Sequence, residues 1–360
     1  MVAQAASGDA GNGRYAAGLA AALRATARGD DHVAALVATD GGRVELAPLV
    51  DRLIDVPAND LYRLGFAAPR ALAGADIDVA VFAYIAPPRP RCRLALIIHD
   101  ATFITHPQWL PPRARGLLRS LVPRSAARAD SILAPSWRAR EDIVTALGIA
   151  PERIHVATNY PSPIFTPDPD GTAAARVHAR FGLGRYCLAV GDLGPRKNLV
   201  ALGEAMRLLG DRDLTLALVG KPGPGGERIA RESGGRWLGY VSDGELADLY
   251  RAAAVTACPS LYEGFGLPVV EAMACGSPVV TSNRGALSEV AGDAALLVEP
   301  HPPGLAEGIR AALEPAVADR LRAAGPARAA AYNADEVGES GWRAARGEPA
   351  PAGPAAEGSA

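Results

Sequence analysis

The chain alternates short apolar runs with longer stretches of helical periodicity along most of its length. The runs in the first half are HVAALVA (32–38), DVAVFAYI (78–85), LALIIHD (94–100), SILAPS (131–136) and IHVATN (154–159). Those in the second half are YCLAVGDL (186–193), LTLALVG (214–220), GRWLGYV (235–241), VTACPS (255–260), SPVVTS (277–282) and AALLVEP (294–300). Continuous apolar runs of this length suit strands buried on both faces, as in a parallel sheet covered by helices. Helical patterns lie between them at Arg14–Ala27, Arg138–Leu147, Leu199–Leu209, Asp243–Ala253 and Pro303–Leu313, and Ser242 with Glu245 reads as a capping box. Repeated strand–helix alternation predicts an α/β fold of the doubly wound type.

At 360 residues the chain exceeds what one core holds, since single cores stop growing at roughly 250–300 residues. Two domains are therefore expected. The stretch YPSPIFTPDPDGT (160–172) carries four prolines and no periodicity, and reads as a linker. This predicts a first Rossmann-like domain over 1–160, a linker over 161–175 and a second Rossmann-like domain over 176–330. A helix over 331–346 would cross back to the first domain, and a low-complexity tail over 347–360 would be disordered. Two such domains facing one another would bind ligand in a cleft at the carboxyl ends of their strands. Only MVAQAAS precedes the glycine-rich GDAGNG, so the first strand is expected to be weak or truncated.

Several function classes drop out on composition. A formal net charge of −2 gives no global field toward nucleic acid. The four cysteines form no CxxC pair, and each sits in or beside an apolar run, as reduced core thiols of a cytoplasmic protein do. The six histidines show no metal-binding spacing, so no metal is expected. No apolar stretch reaches the roughly 18 residues of a membrane span, and the N-terminus does not read as a secretory signal.

One stretch carries most of the chemistry: SLYEGFGLPVVEAMACGSPVV (260–280). It reads as a loop after the strand VTACPS, then a helix ending at Gly276, with Pro268 in the first turn. The amides of Gly266 and Leu267 would point out of the helix start, as a phosphate site requires. Glu271 lies one turn into the helix, where it could accept hydrogen bonds from a ribose. Glu263 precedes the turn, facing the cleft mouth. Two solvated charges around a tight turn would look the same.

This segment resembles the E-x7-E segment of the retaining glycosyltransferases of family 4, which have the GT-B fold. Other segments resemble the family in the same order. These are GNGRYAAGLAAAL (11–23), LALIIHDATFITHPQW (94–109), RADSILAPSWRAREDIVTALGIAPERIHV (128–156), GDLGPRKNL (191–199) and GYVSDGELADLYRAA (239–253). The resemblance spans roughly residues 8 to 345. It implies transfer of a sugar from a nucleotide diphosphate donor (GDP-, UDP- or dTDP-linked) with retention of configuration and without a metal or other cofactor. The PRKN loop and His-Asp segment lean toward mannosyl or rhamnosyl transfer. The acceptor would be a glycan or a lipid-linked glycan.

Carried over position by position, the resemblance implies that Glu271 binds the ribose and Glu263 orients the donor sugar. Gly266 and Leu267 would offer amides to sugar or phosphates. Lys197 would neutralise the leaving diphosphate, and Gly13 would let the first glycine loop close on it. His99 would meet the donor sugar, and Tyr240 and Val241 would flank the nucleobase. The sequence departs from the family at Asp192, where many members carry an arginine that contacts phosphate. Arg196 could compensate, although adjacent residues such as Arg196 and Lys197 normally point in different directions. His106 reads as structural.

From Ala101 to Ala129 there is no acid, while Arg113, Arg115, Arg119, Arg124 and Arg128 appear. Leu117, Leu118, Leu121 and Val122 would form one helical face with Arg115 and Arg119 opposite. Such a helix suits peripheral contact with an anionic membrane surface, and equally a packed helix with a solvated basic face. Two further readings stay open for the whole chain: a nucleotide-sugar-binding protein of the same fold without transferase activity, and an NAD-dependent oxidoreductase built on the first glycine loop.

Overall fold

The computed structural model describes residues 2–4, 10–59, 62–88, 90–223 and 225–353, with side chains from Gly13 onward. Residues 5–9 of the first glycine loop lie outside the described residues. The chain divides into two compact units, one formed by 1–159 with 333–360 and the other by 160–332.

The first unit is built on a seven-stranded sheet with order β3-β2-β1-β4-β5-β6-β7. Its strands are β1 (Val2–Gln4), β2 (Ala34–Val37), β3 (Arg52–Asp55), β4 (Val79–Ala83), β5 (Arg93–Ile97), β6 (Ser131–Ala134) and β7 (Ile154–Val156). Every pairing is parallel. The opening segment forms a short strand in a central place, with Val2 in register with Ala34 on one side and Ala80 on the other. Strand β3 is absent from the apolar runs because RLID has charged ends and lies half exposed at the sheet edge.

The helix Ala10–Ala25 contains Gly13 in its first turns. Gly13, expected in the first glycine loop, therefore lies within a helix. The C-terminal helix Ala334–Arg346 lies in this same unit, where Trp342 Nε1 donates to the Leu23 carbonyl at 3.0 Å and Ser340 Oγ to the Val156 carbonyl at 2.7 Å. The tail expected to be disordered is held at least as far as Ala350, whose N–H donates to the Glu152 carbonyl at 2.8 Å.

The basic helix forms as Pro112–Arg128 and buries only part of the expected apolar face, with Leu118 packed against the core. Val122, Ser125 and Ala126 are buried, whereas Leu117 is 51% exposed. No helix among the described residues is long and apolar enough to cross a membrane.

The second unit carries a six-stranded sheet, order β10-β9-β8-β11-β12-β13, again parallel throughout. Its strands are β8 (Tyr186–Val190), β9 (Thr215–Val219), β10 (Arg236–Trp237), β11 (Val255–Cys258), β12 (Val279–Ser282) and β13 (Leu296–Val298). Helices cover both faces, and one core joins Tyr186, Leu188 and Tyr250 to Val269, Val270 and Met273 of the helix Leu267–Ala274. The capping box of Ser242 and Glu245 is present at the start of the helix Asp243–Ala252.

The segment read as a linker over 161–175 belongs to this second unit. Phe165 is buried in its core, edge-on to Tyr250. Arg251 donates to the carbonyls of Thr166 and Ile164, both at 2.8 Å. Prolines suppress helix and strand periodicity without preventing a segment from packing. Truncation of a buried phenylalanine typically costs about 3–5 kcal/mol. Phe165→Ala should therefore lower the unfolding free energy of the second unit by an amount in that range, measured by urea denaturation. A solvent-borne linker position would shift it by less than about 0.5 kcal/mol.

Each sheet has one switch point, where the strand order reverses direction. In the first unit it falls between β1 and β4, and in the second between β8 and β11. Ligands of doubly wound sheets bind outside the carboxyl ends of the strands at this point.

Candidate functional site

In the second unit the loops after β8 and β11 meet at the switch point and bring three charges together. Glu263, in the loop after β11, is buried to 7% exposure. Its Oε1 accepts from Lys197 Nζ at 2.7 Å and from Ser260 Oγ at 2.7 Å, and its Oε2 accepts from an Arg196 guanidinium nitrogen at 2.5 Å. The same arginine nitrogen reaches the Tyr262 carbonyl at 2.8 Å. Glu263 thus does not face solvent as a free acid.

Adjacent cations converge here because of the local backbone. Pro195–Lys197 forms a tight 3₁₀ turn, and Asn198 follows in the left-handed region at φ 55°. Asn198 Nδ2 then donates to the carbonyls of Pro259 and Pro300 at 3.2 and 2.7 Å, and the Leu261 N–H to the Arg196 carbonyl at 2.9 Å. The Lys197 side chain lies across Gly191, where a Cβ would stand 2.6 Å from its Cε. Only glycine leaves that path open. The expectation that Arg196 and Lys197 point apart is overturned by this turn.

Burial by itself would raise the Glu263 pKa. The charges of Arg196 and Lys197, helped by hydrogen bonds from Lys197 and Ser260, outweigh it and bring the carboxyl from 4.5 down to about 2. Glu263 is ionised at any working pH and has no proton to give.

The helix Leu267–Ala274 starts beside this cluster, with Gly266 as its N-cap at φ 104° and Pro268 in its first turn. The first N–H groups of a helix have no carbonyl partner within it and carry the positive end of its dipole. Glu271, one turn on, is 2% exposed and accepts from the Tyr250 hydroxyl at 3.1 Å. Tyr240 stands at the outer edge with its ring 61% exposed, while the side chain of Val241 is buried in the core.

His99 belongs to the first unit, at the carboxyl end of β5. Its ring packs edge-on to Tyr15 at 4.7 Å and against Tyr84 at 5.7 Å. Tyr15 is fixed in turn by a 2.8 Å hydrogen bond from its hydroxyl to the Ala157 carbonyl. Tyr84 sits at φ 58°, in the tight turn after β4 closed by the Ile85 N–H on the Ala83 carbonyl at 2.6 Å. A tyrosine in that region costs about 1–2 kcal/mol, and such strain gathers at functional sites. His99 Nε2 is cut off from solvent and meets no hydrogen-bond partner among the described residues. Asp100 instead caps the turn that follows, accepting from the Thr102 N–H and hydroxyl at 2.9 and 2.6 Å. His106 stacks on Trp109 at 4.3 Å, away from these contacts.

Sequence reasoning missed four supporting residues: Ser260, Tyr250, Tyr15 and Tyr84. Ser260, three positions before Glu263, carried the only local signal. The tyrosines read as ordinary core aromatics.

Burial brings the His99 pKa from 6.5 down to about 4, against a small upward pull from Asp100. The unfolded chain takes up this proton below pH 6.5, whereas the folded chain resists until about pH 4. The resulting stability is complete above pH 6.5 and is lost as pH falls toward 4. The melting temperature of wild type should therefore fall several degrees more than that of His99→Asn between pH 7 and 4.5, as calorimetry at the two pH values would show.

Two family models match the chain: Glycosyltransferase Family 4 over residues 10–160 and Glycosyl transferases group 1 over residues 184–315. The O-antigen chain mannosyltransferase B of Escherichia coli is 35% identical over 265 residues, 67% of this chain and 67% of that protein. The MMP alpha-(1->4)-mannosyltransferase of Mycolicibacterium hassiacum is 38% identical over 188 residues, 49% of this chain and 43% of its own length. The chain thus spans about two thirds of the first relative and less than half of the second. Among solved structures, sucrose-phosphate synthase from Thermosynechococcus elongatus superposes with a TM-score of 0.73 at 22% identity, covering 96% of this chain and 94% of that one. HepE of Anabaena in complex with UDP and glucose gives 0.72 at 18% identity, over 95% and 98%. These likenesses show the GT-B fold. The chain is a glycosyltransferase and belongs to family 4, the group 1 glycosyl transferases.

Proposed function

We propose that the protein transfers a hexose, with mannose as the leading candidate, from a nucleotide diphosphate donor to a glycan or lipid-linked acceptor with retention of configuration. The observation that carries this reading is the convergence of Arg196 and Lys197 on Glu263 beside the helix start at Gly266. The names of the relatives favour mannose.

In this reading the diphosphate lies against Lys197, Arg196 and the amides of Gly266 and Leu267, which take the charge a metal bears elsewhere. Arg196 supplies the second cation that Asp192 fails to provide. Glu271 accepts hydrogen bonds from the ribose, and the ring of Tyr240 lies under the base. Glu263 orients the sugar and keeps the two cations in place. Within the first unit, His99 offers a neutral imidazole whose Nε2 suits a hydrogen bond with a sugar hydroxyl.

The acceptor hydroxyl attacks the anomeric carbon on the face from which the diphosphate leaves. The carbon–oxygen bond to phosphate breaks as the new glycosidic bond forms, and the departing phosphate oxygen takes the hydroxyl proton. Binding and positioning supply the rate, and no protein base is needed. A nucleotide-sugar-binding protein without transfer would use the same donor site, so turnover of a mannosyl donor decides between the two.

Glu271→Ala should weaken nucleoside diphosphate binding about tenfold or more, the scale of one lost charge-assisted hydrogen-bonding group. Glu263→Gln should leave that affinity within a few-fold and lower turnover far more. Calorimetric titration together with initial rates would show the split, and equal losses in binding alone from both variants would refute this assignment of roles.

The basic helix Pro112–Arg128 favours a lipid-linked acceptor. It leaves Leu117 exposed, together with Arg113, Arg119, Arg124 and Arg128. The protein should co-sediment with vesicles containing anionic lipid and not with neutral ones, and Arg113→Glu with Arg119→Glu should remove most of that binding.

A further inference from the structure

We infer that Lys221 reads the base of the donor nucleotide and selects guanine. The inference rests on the reading of Tyr240 as the base platform. It adds a residue to which the sequence reading gave no role.

Lys221 follows β9 and Tyr240 follows β10, and the two loops are tied together. The Leu238 N–H donates to the Leu218 carbonyl at 2.8 Å and the Gly220 N–H to the Gly239 carbonyl at 2.9 Å. Trp237 Nε1 donates to the Gly220 carbonyl at 2.9 Å. On the other side the Lys221 carbonyl accepts from the Leu193 N–H at 3.0 Å. The backbone of Lys221 is thus pinned between its neighbours, and its ammonium stands 5.3 Å from the centroid of the Tyr240 ring. Among the described residues no carboxylate lies within ion-pair distance of it. The ring face takes part of the ammonium's hydration shell, and nothing consumes its charge.

This pair is continuous with the phosphate cluster. Gly220 packs so closely on Gly191 that a Cβ on it would stand 2.1 Å from the Gly191 carbonyl oxygen, and Lys197 crosses Gly191 in turn. Along the carboxyl edge of the sheet the order is Glu263 and Lys197, then Gly191, Gly220, Lys221 and Tyr240. From β8 to β10 is two strand spacings, about 10 Å. A diphosphate held at Lys197 therefore has its nucleoside directed toward Lys221 and Tyr240.

An ammonium has three donors and no acceptor. It gains most from a base edge with two adjacent acceptors, which guanine offers as O6 and N7. On the corresponding edge adenine sets an amino donor beside N7, cytosine presents its N4 amino group, and uracil and thymine offer the single O4. A guanine stacked on Tyr240 exchanges the cation–π contact for two charge-assisted hydrogen bonds at its edge.

The test is calorimetric titration of the full chain with GDP, IDP, ADP, UDP and 7-deaza-GDP. Wild type should bind GDP and IDP about tenfold tighter than ADP or UDP, with 7-deaza-GDP weakened toward ADP, the discrimination expected of a two-acceptor contact. Lys221→Ala should bring GDP within about twofold of ADP and leave ADP affinity unchanged, whereas Lys221→Arg should keep the preference. An unchanged GDP to ADP ratio in Lys221→Ala, or UDP binding as tightly as GDP to wild type, overturns the inference while the donor site stands. If no nucleoside diphosphate binds, or Tyr240→Ala leaves GDP affinity untouched, the site reading itself falls and this inference with it.

Discussion

The second unit's site depends on a carboxylate that is buried with two cations. Desolvating Glu263 alone would neutralise it or expel it. Arg196 and Lys197 hold it ionised, and it holds them at the end of the sheet. The cluster lies beside a helix start that adds the positive end of its own dipole. Two cations beside a helix start are the features on which the proposed diphosphate site rests. The glycine at 191, the left-handed Asn198 and the tight PRK turn are the geometric conditions for those cations to sit where they do.

Much of the fold was legible because parallel strands buried on both faces leave continuous apolar runs. The eleven runs read from the sequence all contain strands of the two sheets. What escaped has a physical reason in each case. Strand β3 is a half-exposed edge with charged ends, so burial wrote no apolar signature into it. The proline-rich stretch at 160–172 has no periodicity, yet Phe165 packs into a core, because a single anchored side chain needs no repeat. Leu117 looked like part of a packed stripe, but the helix buries Val122, Ser125 and Ala126 and leaves Leu117 exposed.

The site was legible where spacing along one element matters and not where two loops meet. Glu271 one turn beyond a glycine N-cap follows from helix geometry. That Glu263 is closed by residues some 66 positions earlier depends on strand order, since only a switch between β8 and β11 brings those loops together. The aromatic walls of His99, Tyr15 and Tyr84, come from two separate elements and leave no pattern in the sequence. Neither Tyr15 nor Tyr84 announces itself, although the positive φ of Tyr84 marks it once the backbone is known.

Two titratable groups at these sites, Glu263 and His99, shift in directions that bear on mechanism. A protein base or acid that works near neutral pH is tuned toward pH 7. Glu263 is driven to about 2 and His99 to about 4, so one is fixed as an anion and the other as a neutral imidazole. Both are therefore suited to constant electrostatic and hydrogen-bonding roles, and poorly suited to shuttling a proton. The proposed transfer, in which the leaving phosphate takes the acceptor's proton, asks for no protein base and so agrees with groups held in one protonation state. A mechanism with a glutamate nucleophile and a histidine base would ask for the opposite shift in His99, and for a carboxylate not already held by two cations and a serine.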